Sequence, residues 1–379
     1  MINEFNDIEI TSVESFIHNL KRLTSGISLY KEIIDKFLEK NDSNPYYSSW
    51  IFNEFINIID LCDSNELFGG ASEDNMLEIL QQLYKKLEDI GVFHDNEKHN
   101  EFLNKMDSYS TPPNDGESKQ YHGRNFLQFF YRGESSKNWD YKPSIMRDQY
   151  TYSKETYYYH EIQVRCPNEF ENLSYLDKLV KMQHYGCPTR LLDITSNPLG
   201  ALYFACEENE NDGRISIFPI INGAMCYGDS DKALILSCLP HLTNFEQDQI
   251  LKEIQTLKGY KYDGSNIKRY LEKLYLEICS EKPAFQRRIK FGDILSPLFI
   301  QPNRANPRIT NQQGAFLLSG LSSDLTQAEQ KIKSRIAKTR FIIPSNQKNS
   351  ILRDLDSLAI NKASIYPNME KIADYLKSH

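Results

Sequence analysis

Residues 183–195, QHYGCPTRLLDIT, crowd a histidine, a cysteine, an arginine, an aspartate and three hydroxyl-bearing side chains into thirteen positions. The first chemistry these types suggest is a thiolate nucleophile with an imidazole base, since Cys187 follows His184 by three residues. A catalytic cysteine usually also has an orienting group and a helix N-terminus beside it, so the spacing of this pair does not carry that chemistry by itself. Zinc needs paired ligand spacings, which His184, Cys187, Asp193 and Cys206 lack. Turn and cap formation explain much of the rest. Gly186 and Pro188 make a tight turn, Leu191 and Leu192 enter a core, and residues 193–197 (DITSN) offer capping oxygens to a helix opening near Pro198. Capping accounts for Asp193, Thr195 and Ser196. It does not require His184, Thr189 or Arg190, which are left as the candidates to touch a ligand.

Three further segments carry polar groups where burial is expected. In FYRGE (130–134), Arg132 ends an aromatic run and must meet an anion or a set of carbonyls, because a buried unpaired guanidinium is prohibitive. Gly133 beside it lets a backbone approach closely or turn with positive φ. In NPRITNQQGAF (306–316), Gln312 and Gln313 precede a glycine and an apolar strand, so they stand at the mouth of a sheet, and a neutral amide is no general base. WDYKPSIMR (139–147) offers apolar and aromatic residues to wall a pocket, with Arg147 as another cation in need of a partner.

The elements that must position these groups follow from periodicity. TSVE (11–14) reads as a capping box, after which Val13, Phe16, Ile17, Leu20 and Leu23 share a helical face. Further helical stripes run through Leu29, Ile33 and Phe37, through Phe52, Phe55, Ile56 and Ile59, and over 76–90, with Gly91 as a stop. Residues 108–120 are polar turn formers and read as a linker. Strands are then expected at 126–132, 214–220, 294–300, 315–318 and 339–343. Helices are expected at 173–183, 198–207, 244–256, 267–279, 350–358 and 368–376. The tract TYSKETYYYH (151–160) reads only as compositionally biased. The fold class is therefore α+β from residue 125 onward, with a helical N-terminal part.

With 40% apolar residues, 25% charged residues and a net charge of −8, the 379-residue chain has the material for a sizeable core and no gross basic character that would signal nucleic-acid or membrane binding. No window approaches the ~18 apolar residues of a membrane span, and the acidic N-terminus lacks a signal-peptide pattern, so a cytoplasmic location is expected. The seven cysteines are odd in number and never closer than twelve positions, which points to free thiols.

Taken in order, the segments resemble the FRG family, named for a Phe/Tyr-Arg-Gly signature. The signature here is Tyr131-Arg132-Gly133, followed by WDYKPSIMR, by MQHYGCPTRLLDITSNPLGALYFAC (182–206), by RITNQQGAFLL (308–318) and by SIYPNMEKIADYL (364–376). The helix near 12–23 is similar to the family's opening helix. That likeness makes 1–25 the start of the domain, 26–120 a helical insertion or subdomain, and 121–379 its α+β body. A more distant resemblance is to ADP-ribosyltransferases of the Arg/Ser-Thr-Ser/Glu type, which implies a mixed or antiparallel sheet core and NAD as substrate. It implies that Arg132 holds phosphate and ribose, that Gly133 grips the nicotinamide amide, that Thr195 and Ser196 brace the site ahead of Ala201 and Phe204, and that Gln312 takes the third position. Tyr131, Thr189 and Arg190 join the nucleotide-holding set, and His184 and Asp193 the catalytic one. Gln312 departs from the Glu of that group, which leaves three alternatives: Asp193 replaces the carboxylate, the site binds a nucleotide without turnover, or the acceptor is already nucleophilic. The resemblance further implies a macromolecular acceptor and a toxin or antiphage setting, while the apolar stripes of the insertion, more than a small sheet needs to cover it, point to an inhibitory or regulatory protein partner there. Two other readings stay open: a nucleotide- or nucleic-acid-binding module without turnover, and a metal-dependent hydrolase or nuclease centred on His184 and Asp193.

Overall fold

A computed structural model of the chain describes residues 5–24 and 127–377, apart from 209, 222–224, 258–260, 263, 265–266, 304–309 and 338. By its contacts the chain divides into two units, Met1–Leu20 with Leu127–His379, and Lys21–Phe126. The helical stripes expected between residues 26 and 120 and the linker expected at 108–120 lie outside the described residues.

Among the described residues ten strands follow in chain order: β1 (Asn6–Glu9), β2 (Leu127–Glu134), β3 (Leu191–Thr195), β4 (Gly213–Ile221), β5 (Met225–Tyr227), β6 (Lys261–Tyr262), β7 (Ile289–Lys290), β8 (Leu298–Gln301), β9 (Gly314–Leu318) and β10 (Thr339–Ile343). Eight of them form one mixed sheet in the order β1-β10-β4-β2-β3-β9-β8-β5, and β6 with β7 forms a separate ribbon. Only β1 with β10 and β5 with β8 run parallel; the other neighbours in the sheet are antiparallel. Both faces are covered, which is why the strands read as apolar runs rather than alternations. Phe130, Leu192, Ile194, Phe218 and Leu317 belong to one core cluster. Leu191, Phe316 and Leu318 belong to a second, larger cluster with the helices α3 (Tyr175–His184), α5 (Asp231–Ser237), α6 (Asn244–Thr256) and α7 (Arg269–Glu281). No helix among the described residues is long and apolar enough to cross a membrane.

Several local expectations change. The first helix, α1 (13–24), is capped one residue later than expected: Ser12 and Ser15 exchange side-chain-to-backbone bonds of 3.1 Å each, and Val13 and Phe16 turn to the core. The biased tract 151–160 contributes most of α2 (Glu155–Arg165), whose Tyr159 is buried. Residues 294–300 are not one strand, because Ile294 and Leu295 end a short helix, α8 (Phe291–Leu295), and β8 begins after Pro297. Residues 191–195 are β3 rather than a cap. The N-cap of α4 (Pro198–Cys206) is Asn197, whose Oδ1 accepts from the amides of Leu199 and Gly200 at 3.0 and 3.1 Å.

Gly133 and Gly213 let α4 lie flush on the sheet. A Cβ at Gly133 would sit 1.8 Å from the Ala201 carbonyl oxygen, and one at Gly213 would sit 2.1 Å from that of Ala205. The freedom expected of Gly133 is thus used for helix-on-strand approach and not for positive φ, which that residue does not adopt.

Candidate functional site

The sheet parts between β2 and β3. Strands β2 and β4 pair at eight consecutive positions, from Leu127 with Ile221 to Glu134 with Arg214, and β3 pairs with β9 at five. Between β2 and β3 a single pair holds, Tyr131 with Thr195. Amides and carbonyls that leave a ladder must find other partners, so such a seam offers backbone groups to side chains or to a ligand. Here it opens into a cleft of about 260 Å³. Tyr131, Arg132 and Gly133 form one side, and Asp193, Ile194 and Thr195 with Gly314 and Phe316 form the other. Gln183 and His184 from the last turn of α3 and Phe204 of α4 close it further, and Gln312 and Tyr366 complete it.

Alternate residues of β2 face opposite sides. Phe130, Arg132 and Glu134 share a face with their partners Phe218, Ser216 and Arg214 on β4, yet Arg132 reaches back into the seam. Its Nη1 donates to the Asp193 carbonyl at 2.8 Å, a group that the missing β2–β3 ladder leaves open, and its Nε donates to Glu134 Oε1 at 2.9 Å. The other oxygen of Glu134 accepts from Arg214, through Nε at 2.7 Å and through Nη2. Arg214 also stacks on Tyr141 and donates to the carbonyls of Lys137 and Trp139, so the 139–147 segment braces the arginine network rather than walling the cleft. One carboxylate between two guanidiniums leaves an excess positive charge. The Arg132 side chain is 12% exposed, and its Nη2 has no protein partner among the described residues.

Arg190 is a different case and corrects the expectation that it meets a ligand. It is fully buried and absent from the cleft. Its Nε donates to Glu155 Oε1 at 2.7 Å, its Nη2 pairs with Glu155 Oε2, and its Nη1 donates to the Ser319 carbonyl at 3.2 Å. Burial opposes the charge, but the Glu155 carboxylate outweighs it and the guanidinium pKa rises. Thr189 is also buried off the cleft, where its hydroxyl donates to Gln183 Oε1 at 2.6 Å and so fixes a lining residue. Ser196 stays outside the lining, its hydroxyl against the Gln313 carbonyl at 3.4 Å. Cys187 likewise stands off the lining, and burial pushes its thiol pKa up, which keeps the nucleophilic form scarce.

Five expected residues do converge on the cleft besides the 131–133 signature: His184, Asp193, Thr195 and Gln312, with Phe204 of the Ala-x-x-Phe helix. His184 is carried there by α3, which ends in a Schellman turn. The Cys187 amide bonds the Met182 carbonyl at 2.9 Å, and Gly186 takes the required positive φ of 79°. Asp193 is exposed and is the one carboxylate of the lining among the described residues. The Thr195 hydroxyl donates to the Gln312 carbonyl at 2.6 Å and accepts from the Asn197 amide at 2.9 Å, and Gln312 Nε2 donates to the Ile365 carbonyl at 3.3 Å. Burial pushes the Tyr131 hydroxyl up to about 12, which leaves it a neutral donor at ordinary pH. Among the described residues no three His, Cys, Asp or Glu side chains gather as a metal site would need.

Sequence reasoning missed Phe316 and Tyr366 as cleft walls and Glu134 as the anchor of Arg132. All three stand inside quoted motifs, Glu134 in FYRGE, Phe316 in NPRITNQQGAF and Tyr366 in SIYPNMEKIADYL, so position was the available signal.

Residues 127–214 match the family model of the FRG domain. No curated protein and no solved structure matches the chain. The matched segment runs from the start of β2 into β4 and holds residues 131–133, His184, Asp193, Thr195 and Phe204, while Gln312, Phe316 and Tyr366 lie beyond it. The chain therefore contains an FRG domain, and the two parted strands that frame the cleft are both its own.

Proposed function

We propose that the cleft is a nucleotide site at which the chain uses NAD and transfers ADP-ribose to a macromolecular acceptor, a chemistry suited to a toxin or antiphage effector. One observation carries the reading: the parting of β2 from β3 gathers Arg132, His184, Asp193, Thr195 and Gln312, from three elements and a loop, around one opening. The excess charge and the uncommitted Nη2 of Arg132 suit a phosphate oxygen, which an arginine holds with better orientation than a lysine. Phe204, Phe316 and Tyr366 offer ring faces to a flat heterocycle. The volume falls just below the roughly 300–1,000 Å³ of drug-sized pockets, so the cleft takes one end of a dinucleotide and leaves the other on its open side.

In the reaction the ribose–nicotinamide bond breaks, and nicotinamide leaves with the bonding pair. An acceptor oxygen or nitrogen then bonds ribose C1′ and gives up its proton. Positive charge builds on the ribose between these events, and the Asp193 carboxylate is the group suited to stabilise that charge and to take the proton. The amide at Gln312, which neither takes nor gives a proton, favours a second reading in which the nucleotide is bound without turnover.

Incubation with NAD labelled in its adenylate phosphate, followed by separate counting of protein, RNA and DNA, distinguishes the two. Label on one fraction that disappears in Asp193→Asn supports transfer. Nucleotide binding without label or nicotinamide release supports the second reading, and failure to bind NAD, ATP or an oligonucleotide overturns both.

A further inference from the structure

Tyr366 reaches the cleft from the C-terminal segment, which comprises α9 (Lys348–Ser357), α10 (Lys362–Ile365) and α11 (Met369–Lys377). Two side-chain amides in the loop before β9 hold it: Gln312 Nε2 donates to the Ile365 carbonyl at 3.3 Å, and Asn311 Nδ2 donates to the Ser364 carbonyl at 3.1 Å. On the far side of the same loop the Thr195 hydroxyl grips the Gln312 carbonyl at 2.6 Å, and the Ser196 hydroxyl meets the Gln313 carbonyl at 3.4 Å. The loop is therefore clamped to the end of β3 by hydroxyls and to the C-terminal segment by amides. Tyr366 then lies edge-on to Phe204, with ring centres 6.3 Å apart, and its hydroxyl donates to Glu207 Oε2 at 2.9 Å.

We propose that Gln312 is a positioning residue: its amide latches the C-terminal segment and, through Ile365, sets Tyr366 as an adjustable wall of the cleft. This deepens the ligand-site reading and rests on it. The chemistry explains why an amide stands at this position. The partner is a main-chain carbonyl, which accepts only, and an ionised Glu has no hydrogen to donate and would set negative charge against that oxygen. The rest of the segment is held unevenly: α9 buries Lys348, Ile351 and Leu355, and Lys348 Nζ donates to the Ser135 carbonyl at 2.7 Å. Ile365 is buried, whereas α11 buries no residue and bonds back to its own segment, through Tyr375 Oη to Asp356 at 2.8 Å and Lys362 Nζ to Asp374 at 3.5 Å. A wall held in this way moves when its latch opens, and a ligand that fills the cleft must touch it.

Hydrogen exchange of the full chain tests this with Gln312→Glu and Gln312→Ala, each without ligand and with saturating NAD. The free variants are expected to exchange residues 361–377 about tenfold faster than wild type, the effect of one hydrogen bond lost, with β2, β3 and β9 unchanged. NAD is expected to slow exchange at 361–366 in wild type and less so in the variants. Unchanged exchange at 361–377 in both free variants would overturn the latch, and so would a rise spread over the whole sheet. Protection of β2 and β3 by NAD without protection at 361–366 would remove Tyr366 from the wall. Loosening of the segment by both variants with no NAD effect anywhere supports the latch and tells against NAD.

Discussion

Arg132 and Arg190 look alike in the sequence, since each stands beside apolar residues in a motif rich in polar groups. In the fold each meets a glutamate that is almost wholly buried, Glu134 and Glu155 respectively. The difference lies in what is left over. Arg190 is matched one-to-one by Glu155 and spends all three nitrogens inside the protein. Arg132 shares Glu134 with Arg214, so the trio keeps an uncancelled charge, and one nitrogen stays uncommitted where the strands part. A buried arginine's role is thus read from the donors and charge that internal partners leave over, not from its burial.

The contrast can be broken most forcefully at Glu155. Removing one partner of a buried ion pair strands the other charge, so Glu155→Ala should lower the unfolding free energy in urea by about 3–5 kcal/mol. A loss under about 1 kcal/mol would mean that Arg190 does not depend on its pair. Gly133→Ala separates the seam's backbone from its arginine. With a Cβ 1.8 Å from the Ala201 carbonyl oxygen, it should cost about 3 kcal/mol in the same measurement, at the top of the usual range for overpacking. Stability equal to wild type would show that α4 does not depend on that contact.

His241 sharpens the comparison with a buried polar group that stays neutral. Burial, with His160 and Lys178 nearby, pushes its pKa down to about 4, although the Glu277 carboxylate 3.3 Å away pulls the other way. Tyr159 and Tyr175 supply the other faces of its surroundings. An unfolded histidine titrates near 6.5, so between these values the unfolded chain binds more protons. The stability from the neutral imidazole is complete above about pH 6.5 and falls by at most about 3 kcal/mol as pH drops to about 4. Denaturant midpoints for wild type and His241→Gln across that window should diverge, and parallel profiles would contradict the assignment.

Much of the frame was legible because local chemistry agreed with the fold. The helix read at 244–256 is α6, which the structure opens with a Thr243–Glu246 capping box, and the β-branched and aromatic run 339–343 is β10 as read. What failed was long-range. β3 alternates poorly in type because both its faces are covered, with Asp193 alone exposed, and of DITSN the first three residues are strand while Asn197 supplies the cap. Arg190 could not be told from Arg132 because Glu155 lies in a tract that reads as biased composition, thirty-five positions away. The convergence of Gln312 and Tyr366 on the seam depends on sheet order, which no local pattern encodes.

The central claim, that the seam is a nucleotide site served by Arg132, is tested most directly by calorimetric titration of NAD into wild type and Arg132→Ala. Glu134 keeps Arg214 in the variant, so the cost to stability should be only about 1 kcal/mol. NAD affinity should fall by roughly tenfold to a hundredfold, the loss of a charge-assisted phosphate contact. Equal affinity in the two proteins, or no binding heat with wild type, would contradict the account.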